Sequence, residues 1–110
     1  MRIWDLEPAV LCDRHLLGEQ RELHGIWSIL VNGKRGYSRH PETLRWQGRL
    51  AALFARHEAL VAEMDRRGFR HRSPLDPAHA TGARSQDAFV DSIARQHELL
   101  AQKGCDCRVR

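Results

Sequence analysis

The stretch CDRHLLGEQRELHGIWSIL, residues 12–30, decides the fold class. At about 100° per residue, Cys12, Leu16, Leu23, Trp27 and Leu30 fall within one sector about 60° wide, the apolar stripe of an amphipathic helix. His15 and Glu22 ride the border of that stripe, two turns apart and nearly above one another. Arg14 and Arg21 lie further round the helix. Pro8, preceded by Asp5 and Glu7, suits a first helical turn, so the helix is expected from about Pro8 to about Leu30. Asn32-Gly33-Lys34-Arg35-Gly36 then supplies residues that accept positive φ and ends it.

Working outward, a second helical pattern runs from about Pro41 or Glu42 to Arg67 and stops at Gly68. Its stripe is Trp46, Leu50, Leu53, Leu60, Val61 and Met64. Residues 68–84, with Pro74, Pro77 and Gly82, read as loop. Ser85 is placed to cap a third helix running to Gln102, with Gly104 beyond its end and Phe89, Ile93, His97 and Leu100 on one face. No strand alternation and no repeat is visible. The expectation is an all-α single domain, residues 1–110, of three main helices with long loops. His57 and His97 read as core-edge histidines, and the sequence leaves open whether they face each other.

The 110 residues suit one domain, and 42% apolar with 29% charged residues suits a folded globule. Ile26 to Val31 is too short to span a bilayer, and Arg2, Asp5 and Glu7 interrupt any apolar leader, so a cytoplasmic monomer with no membrane partner is expected. Cys12, Cys105 and Cys107 show no C-x-x-C spacing, and His57-Glu58 lacks the second His of H-E-x-x-H. No spacing argues for a metal site, although one stitched from distant residues stays open; the preferred reading is reduced thiols, with no metal and no cofactor.

The net charge is +4, and its form is informative: sixteen arginines accompany only two lysines, Lys34 and Lys103. Lys34, Arg35, Arg39, Arg45 and Arg49 make one cluster; Arg66, Arg67, Arg70 and Arg72 make another, interleaved with Phe69 and His71. Guanidinium forks match phosphate oxygens, and aromatic neighbours can stack on an extruded base. These residues, with Arg2 and Arg14, are candidate DNA contacts, although such clusters are also ordinary solvated faces. From spacing alone, Glu22 reads as a boundary residue rather than a catalytic one, since structural ion pairs outnumber catalytic ones.

Met1-Arg2-Ile3, His15-Leu16-Leu17, Glu19-Gln20-Arg21-Glu22-Leu23 and Asn32-Gly33-Lys34-Arg35 follow one another as landmarks. So do Arg56-His57-Glu58 through Arg67-Gly68-Phe69, and Ser92-Ile93-Ala94-Arg95 through Gln102. In this order they resemble the phage endonuclease V type of pyrimidine-dimer DNA glycosylase and abasic-site lyase, over about residues 1–103. The resemblance implies double-stranded DNA carrying a damaged or modified base as partner. It also implies a nucleophile that is the α-amine of Met1, retained because Arg2 is bulky. An α-amine titrates at about 7.7–8.0 against about 10.4 for lysine, so more of it is nucleophilic near neutrality.

By the same resemblance Glu22 is the catalytic glutamate, Arg21 and Arg2 contact phosphate and substrate, and His15 lies near the amine. The Met1 nitrogen is then expected near Glu22 in a cleft lined by Arg2, Arg21 and basic loop residues. Two departures bear on lesion choice. His24-Gly25 stands where the family has an arginine after its glutamate, and Gly104 to Arg110 replaces the family's aromatic C-terminal segment. The competing reading is a non-catalytic basic helical module that binds DNA or RNA on the same scaffold; a bland helical interaction protein comes third.

Overall fold

Helix α1, Asp13–Asn32, carries the stripe read from the sequence, with Leu16, Leu23, Ile26 and Trp27 buried. Gly33 ends it at φ 64°, and the N–H groups of Gly33 and Lys34 both reach the Ile29 carbonyl. The computed structural model describes residues 1–36, 38–70 and 73–108. Tyr37, His71, Arg72, Val109 and Arg110, some of which figured in the reading of the basic loops and tail, lie outside the described residues.

The start of α1 differs from expectation. Pro8–Val10 is a separate 3-10 turn, Leu11 is extended, and α1 begins only after Cys12. Leu11, 2% exposed, is drawn into the core. Its carbonyl accepts from Arg67 Nη2 at 2.6 Å, with the Pro8 and Ala9 carbonyls at 3.3 and 3.4 Å from the same nitrogen. A guanidinium thus takes the carbonyls that a continuous helix would have used.

The second helical pattern is divided in two: α2, Pro41–Leu44, and α3, Leu50–Arg66. Gly48 sits at φ 70°, and the loop 81–83 replaces helical continuity at the start of α3. The N–H groups of Ala51 and Ala52 donate to the carbonyls of Thr81 and Ala83, at 2.7 and 3.0 Å. Gly82, at φ 81°, makes that approach possible, since a Cβ there would stand 2.2 Å from the Gly48 carbonyl oxygen.

The third pattern shortens to α4, Ile93–Ala101, capped by Ser92, whose Oγ accepts from the Arg95 N–H at 3.1 Å. Residues upstream cannot join it. Arg45 holds the Ala88 carbonyl, Arg49 holds the Ser85 carbonyl, and Gln86 Nε2 donates to the Arg45 carbonyl. The expected stripe also rotates: Phe89 and Ile93 are 43% and 38% exposed, while Gln96 and Leu100 face inward.

The core packs α1 against α3 through Leu16, Leu23, Ile26 and Trp27 on one side and Leu53, Leu60 and Met64 on the other. Ile3, Trp4 and Leu6 of the N-terminal segment, with Trp46, Leu75 and Leu100, complete it. Each such side chain contributes roughly 1.5–3 kcal/mol of transfer free energy. His57 is fully buried, and its partner is His24 of α1, with the two Nε2 atoms 3.0 Å apart, rather than His97. The described residues form helices and loops, an all-α domain, and no described helix is long and apolar enough to cross a membrane.

Candidate active site

The chain's first six residues would be a frayed end in most small domains. Here apolar side chains anchor them: Ile3, Trp4 and Leu6 are 1%, 5% and 6% exposed. Burying that backbone leaves polar groups needing partners, and distant side chains supply them. The Trp4 N–H donates to Glu19 Oε1 at 3.0 Å, and the Asp5 N–H to Gln96 Oε1 at 2.8 Å. The Ile3 carbonyl accepts from Arg45 Nη2 at 3.0 Å, and the Leu6 carbonyl from Arg56 Nη1 at 2.6 Å.

Two buried charge clusters make those clamps. Arg45, its side chain 5% exposed, pairs with Asp5 and Glu42 and lies over the Trp46 ring at 4.7 Å. Arg56 grips Glu19 through two nitrogens, at 2.7 and 3.0 Å. Burial pushes the Glu19 carboxyl above its ordinary range, against the opposing pull of Arg56.

This anchoring sets Met1 and Arg2 at a cavity of about 220 Å³. Its wall on α1 is built from Arg14, His15, Gly18, Glu19 and Glu22, which recur at helical spacing on one side. Trp4 and Lys103 close the rest. Gly18 presents no side chain, and a Cβ at that position meets nothing within 4 Å, so the cavity extends over it. Arg2 is fixed by an ion pair to Asp91 at 2.8 Å and by stacking over Trp4 at 4.8 Å. Burial, then the charges of Arg14 and Lys103, lower the affinity of His15 for a proton.

Of the residues expected at this site, Met1, Arg2, His15 and Glu22 line one cavity, joined by Arg14. Arg21 is exposed on α1 and does not line it, and no residue of the basic loop 33–49 does. Sequence reasoning missed Trp4, Gly18, Glu19 and Lys103. Glu19 carried a signal, lying one turn before Glu22 and four residues after His15. Lys103 carried none, because only the tertiary fold brings the end of α4 to α1.

A model of one protein family, described as pyrimidine dimer DNA glycosylase, matches residues 1–77. The chain belongs to that family. The match takes in the N-terminal segment and α1 to α3, hence Met1, Arg2, His15 and Glu22. No curated protein and no solved structure matches this glycosylase-family chain.

The other expected DNA contacts divide sharply. Arg14, Lys34, Arg35, Arg39, Arg66 and Arg70 are exposed. Arg35 and Arg39 line, with Ser38 and His40, an open groove of about 560 Å³. Arg45 has to be withdrawn from the DNA-contacting set, because its guanidinium is buried and committed to Asp5, Glu42 and two carbonyls. Arg67 is withdrawn for the same reason: it is 17% exposed and bound to Glu63, Asp13 and three carbonyls. Arg49 is held by Asp87 and the Ser85 carbonyl, with 30% of its side chain exposed. Arg66 pairs with Glu63 and keeps 66% of its side chain exposed.

The cysteines depart furthest from expectation. Cys12, Cys105 and Cys107, read as reduced thiols without metal-ligand spacing, converge with His15, itself a residue of the cavity wall. Cys105 and Cys107 lie beyond the family match.

Proposed function

We propose that this protein is a DNA glycosylase with abasic-site lyase activity on damaged pyrimidines, using the α-amine of Met1 as nucleophile. Support comes above all from one observation: Met1 and Glu22 line the same cavity, in a segment whose backbone is locked two residues later. Positioning of this kind removes much of the entropic barrier to attack.

In the proposed reaction the neutral amine attacks the sugar C1′ bearing the damaged base. The base leaves with the C1′–N bond electrons, and the attached amine loses a proton. The sugar ring then opens, the C1′–O4′ bond breaking as the nitrogen lone pair forms the C1′–N double bond and O4′ takes up a proton, to give the protonated imine. Removal of a proton from C2′ then expels the 3′ phosphate by β-elimination. Glu22 stabilises the positive charge that develops at the sugar and shuttles protons in imine formation and elimination. His15, which lines the same cavity as Met1, positions the amine or a water. Arg2 holds the flanking phosphate from inside the cavity. Arg21 contacts substrate from the outer face of α1.

The attacked carbon is inaccessible in a stacked duplex, so the nucleotide must be extruded and the duplex bent. Arg14, Lys34, Arg35, Arg39, Arg66 and Arg70 are the exposed cations suited to hold the phosphates of the deformed strand.

Lys103 is the second amine at the cavity, and borohydride trapping separates it from Met1. DNA carrying an abasic site or a cyclobutane dimer should give a covalent adduct that peptide mapping places on residue 1. An N-terminal extension should abolish trapping, while Lys103→Ala should retain it. Glu22→Gln should bind DNA but turn over about 10²–10⁴-fold more slowly. Binding without any adduct reduces the chain to a DNA-binding module, and an adduct on Lys103 relocates the nucleophile.

A further inference from the structure

We propose that Cys12, His15, Cys105 and Cys107 form a four-coordinate zinc site that fastens the C-terminal tail to the start of α1. Their four ligand atoms, three Sγ and the His15 Nδ1, all lie within 4.8 Å of one another. His15 Nδ1 is 3.1 Å from Cys12 Sγ and 3.3 Å from Cys107 Sγ. In a tetrahedral site with Zn–S of about 2.3 Å and Zn–N of about 2.0–2.1 Å, ligand atoms stand roughly 3.4–3.8 Å apart. Side-chain adjustments of about an ångström or less bring this set to that geometry.

The local backbone is arranged for it. Cys12 occupies the N-cap of α1, where a Ser or Asp side chain ordinarily accepts from the first turn. Its side chain makes no capping bond and meets His15, one turn on. Cys12-x-x-His15 and Cys105-x-Cys107 are thus two short-spaced ligand pairs, and the fold joins them across the whole chain.

The tail is zipped alongside: the Arg108 N–H donates to the Val10 carbonyl at 2.7 Å, and the Cys12 N–H donates to Cys107 Sγ at 3.1 Å. A backbone N–H aimed at sulfur is the kind of outer hydrogen bond that orients and supports a metal-bound thiolate. A donor set of three soft thiolates and one imidazole selects zinc over magnesium or calcium, which take oxygen ligands. With all four positions filled by protein the site is closed, so its role is structural. It holds His15 and the neighbouring Lys103 at the cavity from one side. The site stands on its own geometry, whether or not the chain cleaves DNA.

Metal analysis of the full chain, purified reduced and without chelator, should find one zinc per chain. After stripping, added zinc should be taken up again, and cobalt in its place should give the visible bands of tetrahedral thiolate coordination. Cys105→Ser and Cys107→Ser should each weaken zinc binding by more than the roughly 10–100-fold that losing a hydrogen-bond partner of a ligand costs. His15→Cys, which keeps four donors, should still bind cobalt, with an altered spectrum, and guards against misfolding as the explanation. A reduced chain that holds no zinc and takes none up overturns the site. So does zinc binding unaffected by the serine variants.

Discussion

The two ends of the chain meet α1 at the same place, by opposite means. Residues 3–6 are held by apolar burial and by buried arginine, glutamate and glutamine side chains reaching in from α1 to α4. Residues 104, 106 and 108 are exposed, and the tail meets the start of α1 through the Cys107 sulfur and the turn before it through one backbone hydrogen bond to Val10. The front end is therefore fixed by the fold itself, and the back end by side-chain chemistry that a bound ion can switch on. His15 is where the two systems meet, lining the cavity and facing the thiols.

The sharpest way to break this contrast is Arg45→Ala. It strands Asp5 and Glu42 and frees the Ile3 and Ala88 carbonyls, so unfolding in urea should show a loss of about 3–5 kcal/mol. A loss below about 1 kcal/mol would mean that the front end is held by apolar burial alone.

The elbow joining the two regions, residues 8–13, is held by Arg67 on Glu63, and acid should loosen it. The hydrogen bond from Arg66, then that from Arg67, holds the Glu63 carboxyl down at about 2, against the opposing effect of burial. A folded value below the ordinary 4.5 means that the stabilisation is complete above pH 4.5 and is lost as pH falls toward 2. Because Arg66 faces solvent, the loss should be about 1–2 kcal/mol. Stability measured from pH 5 to 2.5 should fall more steeply for the wild type than for Glu63→Gln, and equal slopes would remove Glu63 from the elbow.

The smallest effect sets the baseline. Gly25 lies on an exposed face of α1 away from both ends, and a Cβ there meets nothing within 4 Å. Gly25→Ala should raise stability by up to about 1 kcal/mol, read from the thermal midpoint, with zinc content unchanged.

What was legible in the sequence was what repeats locally. Leu16, Leu23 and Trp27 gave the buried face of α1, and His15 and Glu22, seven residues apart, gave the cavity wall. Apolar spacing failed where tertiary hydrogen bonds overrode it. Trp46, Leu50 and Leu53 keep helical rhythm across a break that Gly48 and the loop 81–83 impose. Ser85 and Ser92 are equivalent caps until Arg45 and Arg49 claim the carbonyls between them. Lys103 and the thiol cluster were invisible for another reason: they depend on residues some ninety positions apart, which no local pattern encodes.

The hydrogen bond from Asp5 to Gln96 carries a consequence for the order of folding. The two residues are separated by 91 positions, so this contact is among the last the fold can make. Until α4 has been made and docked, the Asp5 N–H and carboxylate have no Gln96 to meet, although Glu19, Arg45 and Arg56 already offer partners to residues 3, 4 and 6. The N-terminal segment therefore completes its contacts with the rest of the fold only when α4 is in place.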